Sequence, residues 1–144
     1  MSVLAALSLS PRRGQLGLLF RTLQDGYFQT SHVVSFLRDL LRHFRGRVIV
    51  VWDGWKVHGA ALRHVASSRL EAVTVPPYAP ELNPVEQLWG RLKWSDLANA
   101  AFRDSTELLS RLQPLLSAKA ESRSCRRSFW EGAKLDLRPM KLRR

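Results

Sequence analysis

Cysteine and long apolar runs are scarce in this sequence of 144 residues. Its single cysteine, Cys125, excludes an internal disulfide framework and a cysteine zinc site, and it suits a reducing cytoplasm. A membrane-spanning helix needs about 20 consecutive apolar residues, and no run approaches that length. The apolar start at 3–9 lacks the basic stretch that opens a signal peptide. We therefore expect a cytoplasmic protein with no membrane partner.

Acidic residues are scarce as well, with 12 Asp and Glu against 23 Lys and Arg. The net charge of +11 and the isoelectric point near 11.2 favour a polyanionic partner, above all nucleic acid. General basicity, as in ribosome-associated proteins or in proteins of high-GC genomes where Arg replaces Lys, is the alternative. Because 45% of the residues are hydrophobic and the length suits one domain, the chain can bury a core of its own.

The order of apolar periods predicts alternating strands and helices. Two short apolar segments with a turn between them indicate a β-hairpin, and a helical repeat capped by Ser31 or Thr30 follows. A short run rich in β-branched residues then predicts a buried strand. The predicted elements are strands at 3–9 and 17–22, a helix from 30 to 46, the buried strand at 48–52, a helix at 57–66, a strand at 70–75, and helices at 84–97, 105–118 and 126–135.

Two acids stand where predicted elements end or begin. Asp53 follows the apolar run at 48–52, and a carboxylate at the end of a buried strand costs free energy unless it is paired or functional. Glu86 opens the next amphipathic helix, so the two carboxylates could share one metal ion. The alternatives are structural. Asp53 before Gly54 forms a turn, and Glu86 completes a capping box with Asn83.

Two ordered motifs contain these acids, VVWD at 50–53 and PYAPELNPVE at 77–86. With the LWGRLK that follows at 88–93, they resemble the DDE transposases of the mariner-like superfamily, in particular its bacterial insertion-sequence branch. The resemblance implies an α/β fold of the RNase H-like, retroviral-integrase-like kind, with a mixed sheet and flanking helices. It also implies that Asp53 and Glu86 are the second and third catalytic acids. They would bind Mg²⁺ or Mn²⁺ during DNA strand cleavage and strand transfer at the ends of an insertion sequence.

The first catalytic acid of that family has no counterpart in this sequence. In the family it lies on the first strand, which is central in the sheet and neighbours the strand that ends at Asp53. The acids upstream are Asp25, in a predicted turn, and Asp39, on the polar side of a helix. We therefore expect residues 1–137 to form a partial DDE catalytic domain that is inactive alone, with 138–144 as a basic tail. The expected partners are DNA, an N-terminal transposase part encoded upstream that carries the missing strand and, as an open alternative, a second copy of the chain.

Basic residues near the two acids are candidates for contact with DNA. Lys93 lies two helical turns after Glu86, on the same face. His58 has the alternative of a partly buried surface histidine, and Tyr78 either packs the proline-rich loop or stacks on a base. The candidate DNA-binding residues are Lys56, His58, Arg91, Lys93, Arg126 and Arg127, and the protein is expected at the bacterial nucleoid.

Two functions other than that of an enzyme part stay open. The chain is a truncated remnant that binds DNA or a full-length transposase without catalysis, or it is a basic RNA-binding protein of unrelated fold. The RNA-binding interpretation leaves the segment at 77–89 unexplained. An upstream reading frame that encodes a helix-turn-helix domain and a strand ending in Asp would separate an enzyme part from a remnant.

Overall fold

The computed structural model describes residues 1–10, 12–77 and 79–135, which form strands and helices in mixed α/β order. Tyr78 and the basic tail at 138–144 lie outside the described residues. The elements are β1 (Ser2–Ser10), β2 (Gln15–Leu23), α1 (Thr30–His43), β3 (Val48–Trp52), α2 (Lys56–Arg63), β4 (Leu70–Thr74), a 3₁₀ turn (Pro80–Leu82), α3 (Val85–Arg91), a π-helical turn (Leu92–Asp96), α4 (Ser105–Glu121) and α5 (Arg123–Gly132).

The chain divides into two compact units. The first comprises residues 1–26 and the described residues from Pro84 onward, and the second comprises Tyr27–Asn83. The described strands form two separate sheets of two strands each, an antiparallel β1–β2 pair in the first unit and a parallel β3–β4 pair in the second. Neither described sheet is mixed, so the described strands do not form the mixed sheet that the resemblance implies. Within the described residues no helix combines the length and the apolar character needed to span a membrane.

The first unit is built on the β1–β2 hairpin, in which Ser2 pairs with Leu23 and Ser10 with Gln15. Gly14 lies in the turn with φ of 61°, a left-handed conformation that glycine adopts at little cost because it has no Cβ. Helices α3, α4 and α5 pack near the hairpin around a shared core, and each fully buried leucine there contributes about 1.5–3 kcal/mol to folding. The buried members of this core are Leu18, Leu88, Leu92, Leu112, Leu116 and Phe129.

An ion pair between Lys119 and Asp96 joins α4 to the π-helical turn, with Nζ 2.8 Å from Oδ2. The side chains are only 8% and 19% exposed. Loss of either partner would therefore leave a largely buried charge without compensation, at a cost of about 3–5 kcal/mol. Helix α4 is fixed at its other end by Asp104, whose carboxylate accepts the Glu107 N–H at 2.8 Å as an N-cap.

The second unit is built on the parallel pairing of β3 with β4, in which Val48 lies opposite Leu70 and Trp52 opposite Thr74. Helix α1 supplies most of the core of this unit, because its apolar residues recur at helical spacing and share one face. The buried side chains of α1 are Val33, Val34, Phe36, Leu37 and Leu40.

Arg69 ties the end of α1 to the start of β4. Its guanidinium donates to the carbonyl oxygens of Leu41 at 3.0 Å, of Gly46 at 3.1 Å and of Phe44. The last carbonyl groups of a helix have no partner inside the helix, so one side chain satisfies groups that the helix end leaves over. Each hydrogen bond from a charged donor contributes about 1.5–3 kcal/mol. The chain therefore enters β3 from a fixed point.

The predicted buried strand at 48–52 is a strand, but it is buried on one face only. Trp52 is 8% exposed, whereas Ile49 and Val51 are 60% and 55% exposed, and Val73 on β4 is 46% exposed. The reason is physical: β3 pairs with β4 alone among the described strands, and no described element covers the face of Ile49, Val51 and Val73. The sheet of this unit therefore presents an apolar face to solvent.

The other corrections concern helix ends. Gln29, and not Ser31 or Thr30, is the N-cap of α1, and its N–H donates to Nδ1 of His32 at 3.0 Å. The helix predicted at 84–97 is α-helical only from Val85 to Arg91 and continues as the π-helical turn. The helix predicted at 126–135 is α5, which begins earlier because Ser122 accepts the Cys125 N–H as its N-cap. The hairpin and the strand at 70–74 are confirmed.

Candidate functional site

Asp53 follows the last residue of β3, at the carboxyl end of the parallel pair. Pairing extends to this point, because the Val75 N–H donates to the Trp52 carbonyl at 2.8 Å. The Asp53 side chain is 61% exposed, and its Oδ1 accepts the Trp55 N–H at 3.0 Å. Asp53 therefore does shape the turn, as the structural alternative predicts. Among the described residues no hydrogen bond reaches its other oxygen, Oδ2, so that oxygen is open to a ligand.

His58 stands beside this carboxylate. Its Nδ1 lies 3.0 Å from Oδ1 of Asp53 and 3.5 Å from the Asp53 carbonyl oxygen. The imidazole stacks on Trp52 with ring centroids 4.7 Å apart and an interplanar angle of 7°, and it meets the edge of Trp55 at 5.1 Å. With 14% of its side chain exposed, His58 fits the alternative of a partly buried histidine. Its position between two indoles holds it against Asp53.

Lys56 begins α2 three residues after Asp53, and its side chain is exposed. Trp55, immediately before it, is 45% exposed although it also touches His58. A short chain segment therefore presents a carboxylate, a cation and an aromatic ring to solvent. The sequence pattern identified Asp53 and Lys56, but it did not indicate the stack of His58 on Trp52. The stack could have been predicted from Trp52 at the end of the strand and His58 in the helical turn that follows it.

Glu86 lies in the first turn of α3, and its side chain is exposed. The predicted capping box with Asn83 is wrong. Pro84 has helical dihedral angles and Asn83 before it is extended, but the Asn83 N–H that a capping box would give to Glu86 donates instead to the Pro80 carbonyl at 3.0 Å. Pro84 itself has no side-chain hydrogen bond that could cap this helix end. Among the described residues the Glu86 carboxylate has no hydrogen bond or ion pair, and it is therefore open to a ligand.

The basic candidates differ in how they are held. Arg91, at the end of α3, and Lys93, in the π-helical turn, are exposed and have no ion pair within the described residues. Arg126 is partly buried and donates to the Ala120 carbonyl, so it also holds the end of α4. Arg127 is paired with Glu131 at 2.7 Å, and this hydrogen bond, with the charge of Glu131, raises the pKa of Arg127 above its ordinary value. With Lys56, Arg91 and Lys93 are the candidate cations most available to a phosphate.

The acids divide between the two units. Asp53, Lys56 and His58 belong to the second unit, whereas Glu86 and the remaining candidates belong to the first. Carboxylate oxygens suit hard divalent cations such as Mg²⁺ and Mn²⁺. The described part of the chain, however, holds no group of three or more His, Cys, Asp or Glu side chains that could bind a metal ion. The donor chemistry of the two acids fits a divalent cation, but the number of ligands does not.

Comparison with protein families identifies what these residues belong to. The family model described as DDE superfamily endonuclease matches residues 6–109, more than two thirds of the chain. The chain belongs to this family. The match includes both Asp53 and Glu86. It ends within the first turns of α4 and does not reach α5. No curated protein matches the chain.

Family membership gives the two open carboxylates a chemical context. DDE superfamily endonucleases act on DNA and generally depend on divalent metal ions. In this chain, Asp53 lies at the end of a strand and Glu86 at the start of a helix. Both side chains are exposed, and each carboxylate has at least one oxygen without a hydrogen bond within the described residues. The mixed α/β structure is consistent with a DDE nuclease domain.

The geometry around His58 predicts the tautomer of its ring. Nδ1 faces two oxygen acceptors of Asp53, so we expect the neutral imidazole to carry its proton on Nδ1 instead of Nε2. Long-range proton–nitrogen NMR correlations on histidine-labelled protein at alkaline pH distinguish the two forms. In Asp53→Ala the carboxylate acceptor is lost, and the Nε2 tautomer should gain population. His64, which is exposed, serves as an internal reference. An Nε2-protonated His58 in the unaltered chain would overturn the assignment.

Proposed function

We propose that this DDE chain is the C-terminal catalytic part of a transposase of the mariner-like superfamily, bacterial insertion-sequence branch. It would carry out metal-dependent cleavage and strand transfer at the ends of the element, on nucleoid DNA. The observation that carries the proposal is Asp53, an exposed carboxylate at the carboxyl end of a parallel strand with Oδ1 held by the chain and Oδ2 open. The motif at 77–86 supports it, because it ends in the exposed Glu86, whose carboxylate has no hydrogen bond within the described residues.

Asp53 and Glu86 would be the protein ligands of Mg²⁺ or Mn²⁺. When bound, such ions activate the attacking hydroxyl and stabilise the leaving oxygen in phosphoryl transfer. The remaining contribution of the chain is positioning, which dominates catalysis of this reaction class. His58 and the Trp55 N–H fix the Asp53 carboxylate, and Lys93 would contact DNA phosphates.

A third carboxylate would come from another polypeptide segment, the N-terminal part of the transposase. Two observations on the described residues support a third carboxylate from another segment. The described residues hold no group of three potential metal ligands. In addition, β3 pairs with β4 alone among the described strands, and Ile49 and Val51, which share one face of β3, are more than half exposed. An unpaired edge and an uncovered apolar face are costly for a parallel sheet, which is normally covered on both faces. A strand added next to β3 would complete an RNase H-like mixed sheet.

A non-catalytic role is the second candidate. The absence of a three-ligand group among the described residues equally suits a remnant that binds DNA, or binds a complete transposase, without cleaving. Such a remnant would keep the DNA affinity of a chain with net charge +11. The two candidates differ in one respect. Only the enzyme part regains cleavage when the N-terminal part is supplied.

The chain alone should not nick a plasmid that carries the ends of the element, with either Mg²⁺ or Mn²⁺, because two acids leave the ion under-ligated. Co-expression with the N-terminal part encoded upstream should give nicking. In that complex Asp53→Asn and Glu86→Gln should each lower the nicking rate by roughly 100-fold or more, as when a group that stabilises transition-state charge is removed.

The matched control for these substitutions is Glu121→Gln, at the exposed end of α4, which should leave the rate unchanged. Nicking by the isolated chain that depends on Asp53 would show that the site is complete without a partner. Nicking by the complex that is insensitive to both acid substitutions would remove Asp53 and Glu86 from the active site. A complex that binds DNA without nicking it would favour the remnant.

Another prediction of the proposed function concerns the phosphate contacts of Arg91 and Lys93. Each phosphate that a cation neutralises contributes roughly −0.9 to the slope of log K against log salt on duplex DNA. Arg91→Gln with Lys93→Gln should therefore flatten the slope by roughly two units, as measured by fluorescence anisotropy across a salt series.

The matched control for this pair is Arg42→Gln with Arg103→Gln, which removes the same charge. These two cations are already paired, with Asp39 at 2.7 Å and with Glu107 at 3.1 Å. The control should change the salt slope by much less. Equal slopes for the two double variants would show that DNA affinity reflects net charge alone and that Arg91 and Lys93 do not form a specific phosphate contact.

A further inference from the structure

Trp94 is unusually exposed for a tryptophan. The residue is 83% exposed to solvent, although tryptophan is highly buried on average in folded proteins. It lies in the π-helical turn Leu92–Asp96, a rare form of helix that is frequent at functional sites. It follows Glu86 by eight residues, which places it about 12 Å further along the helix axis. The core of the first unit does not include this ring.

The turn that carries Trp94 is firmly anchored on both sides. Leu92, two residues earlier, is 4% exposed and belongs to the buried core of the first unit. Asp96, two residues later, forms the buried ion pair with Lys119 at 2.8 Å. The exposed indole therefore stands on a fixed backbone. A rigid backbone favours binding, because little conformational entropy is lost when a ligand stacks on the ring.

Two exposed cations adjoin this ring in the chain. Arg91 lies three residues before Trp94 and Lys93 directly before it, and both side chains are exposed. The comparison with Tyr27 is informative. Tyr27 is 84% exposed, but an acidic residue, Asp25, lies two positions before it. No Lys or Arg lies within five residues of Tyr27 on either side. Trp94 thus combines an open aromatic face with local positive charge, which Tyr27 does not.

We propose that Trp94 is a stacking platform for an unpaired nucleotide base, with Arg91 and Lys93 on the adjoining phosphates. Aromatic rings beside cationic side chains are the usual means by which proteins bind single-stranded nucleic acid. A base inside a duplex has both faces covered by its neighbours, so the ring would select unpaired bases at a DNA end or in an opened strand. The inference rests on the proposed function, because it assumes that DNA is the substrate.

The test compares the affinity of the full chain for a labelled single strand and for the blunt duplex of the same sequence, by fluorescence anisotropy at low salt. Trp94→Ala should weaken single-strand binding by roughly 5- to 150-fold, the range that the loss of one stacked base represents. The affinity for the blunt duplex should change by less than about twofold, because phosphate contacts dominate there. Trp94→Phe should restore most of the lost affinity, and Tyr27→Ala should have no effect.

The outcomes separate this inference from the proposed function. If the unaltered chain binds DNA but Trp94→Ala acts equally on both forms, or Phe does not rescue, the stacking platform is wrong and the transposase assignment stands. If Trp94→Ala leaves both affinities unchanged and alters the sedimentation of the chain, the ring is a contact between protein copies, and the inference fails. If the unaltered chain binds neither form of DNA, the proposed function fails first.

Discussion

The parallel pairing of β3 with β4 is the constraint on which the candidate site depends. It ends at Trp52, where the Val75 N–H reaches the Trp52 carbonyl, so Asp53 is the first residue free of the strand. The chain must turn there, and the turn uses Oδ1 of Asp53 to accept the Trp55 N–H. The same turn brings His58 onto the face of Trp52 and against the carboxylate. One backbone pairing therefore positions the acid, its supporting histidine and the exposed oxygen.

The pairing of β3 is also incomplete in the described residues, and this has consequences for stability. Strands of a parallel sheet are normally buried on both faces, because crossover helices cover them. Here Ile49, Val51 and Val73 are about half exposed or more. Apolar surface of this kind favours association, since each square ångström removed from water contributes about 25 cal/mol. The proposed N-terminal partner would use this free energy while it supplies the third acid, so assembly and catalysis would be coupled.

Most elements could be predicted from the sequence, because apolar periods and turn residues act locally. The hairpin, α1, β3 and β4 follow from them. Exposure of β3 could not be predicted, since a β-branched run such as 48–52 has the same composition whether one face or both are covered. The capping box at Glu86 failed because the Asn83 N–H donates to the Pro80 carbonyl in the preceding 3₁₀ turn, a contact that the order of residues does not determine. Trp94 was missed although it lies off the apolar stripe of Leu88 and Leu92, a position that does indicate exposure.

The central proposal, that Asp53 and Glu86 would bind the same metal ion, can be tested directly by the paramagnetic effect of Mn²⁺ on the NMR spectrum of the labelled chain. This measurement detects weak binding, so it does not require the third acid. The account predicts that the amide signals of Gly54 and Gln87 broaden together as Mn²⁺ is added, and that Asp53→Asn abolishes the broadening at both. Broadening at Gln87 that persists unchanged in Asp53→Asn would show two independent ions and would contradict the shared site.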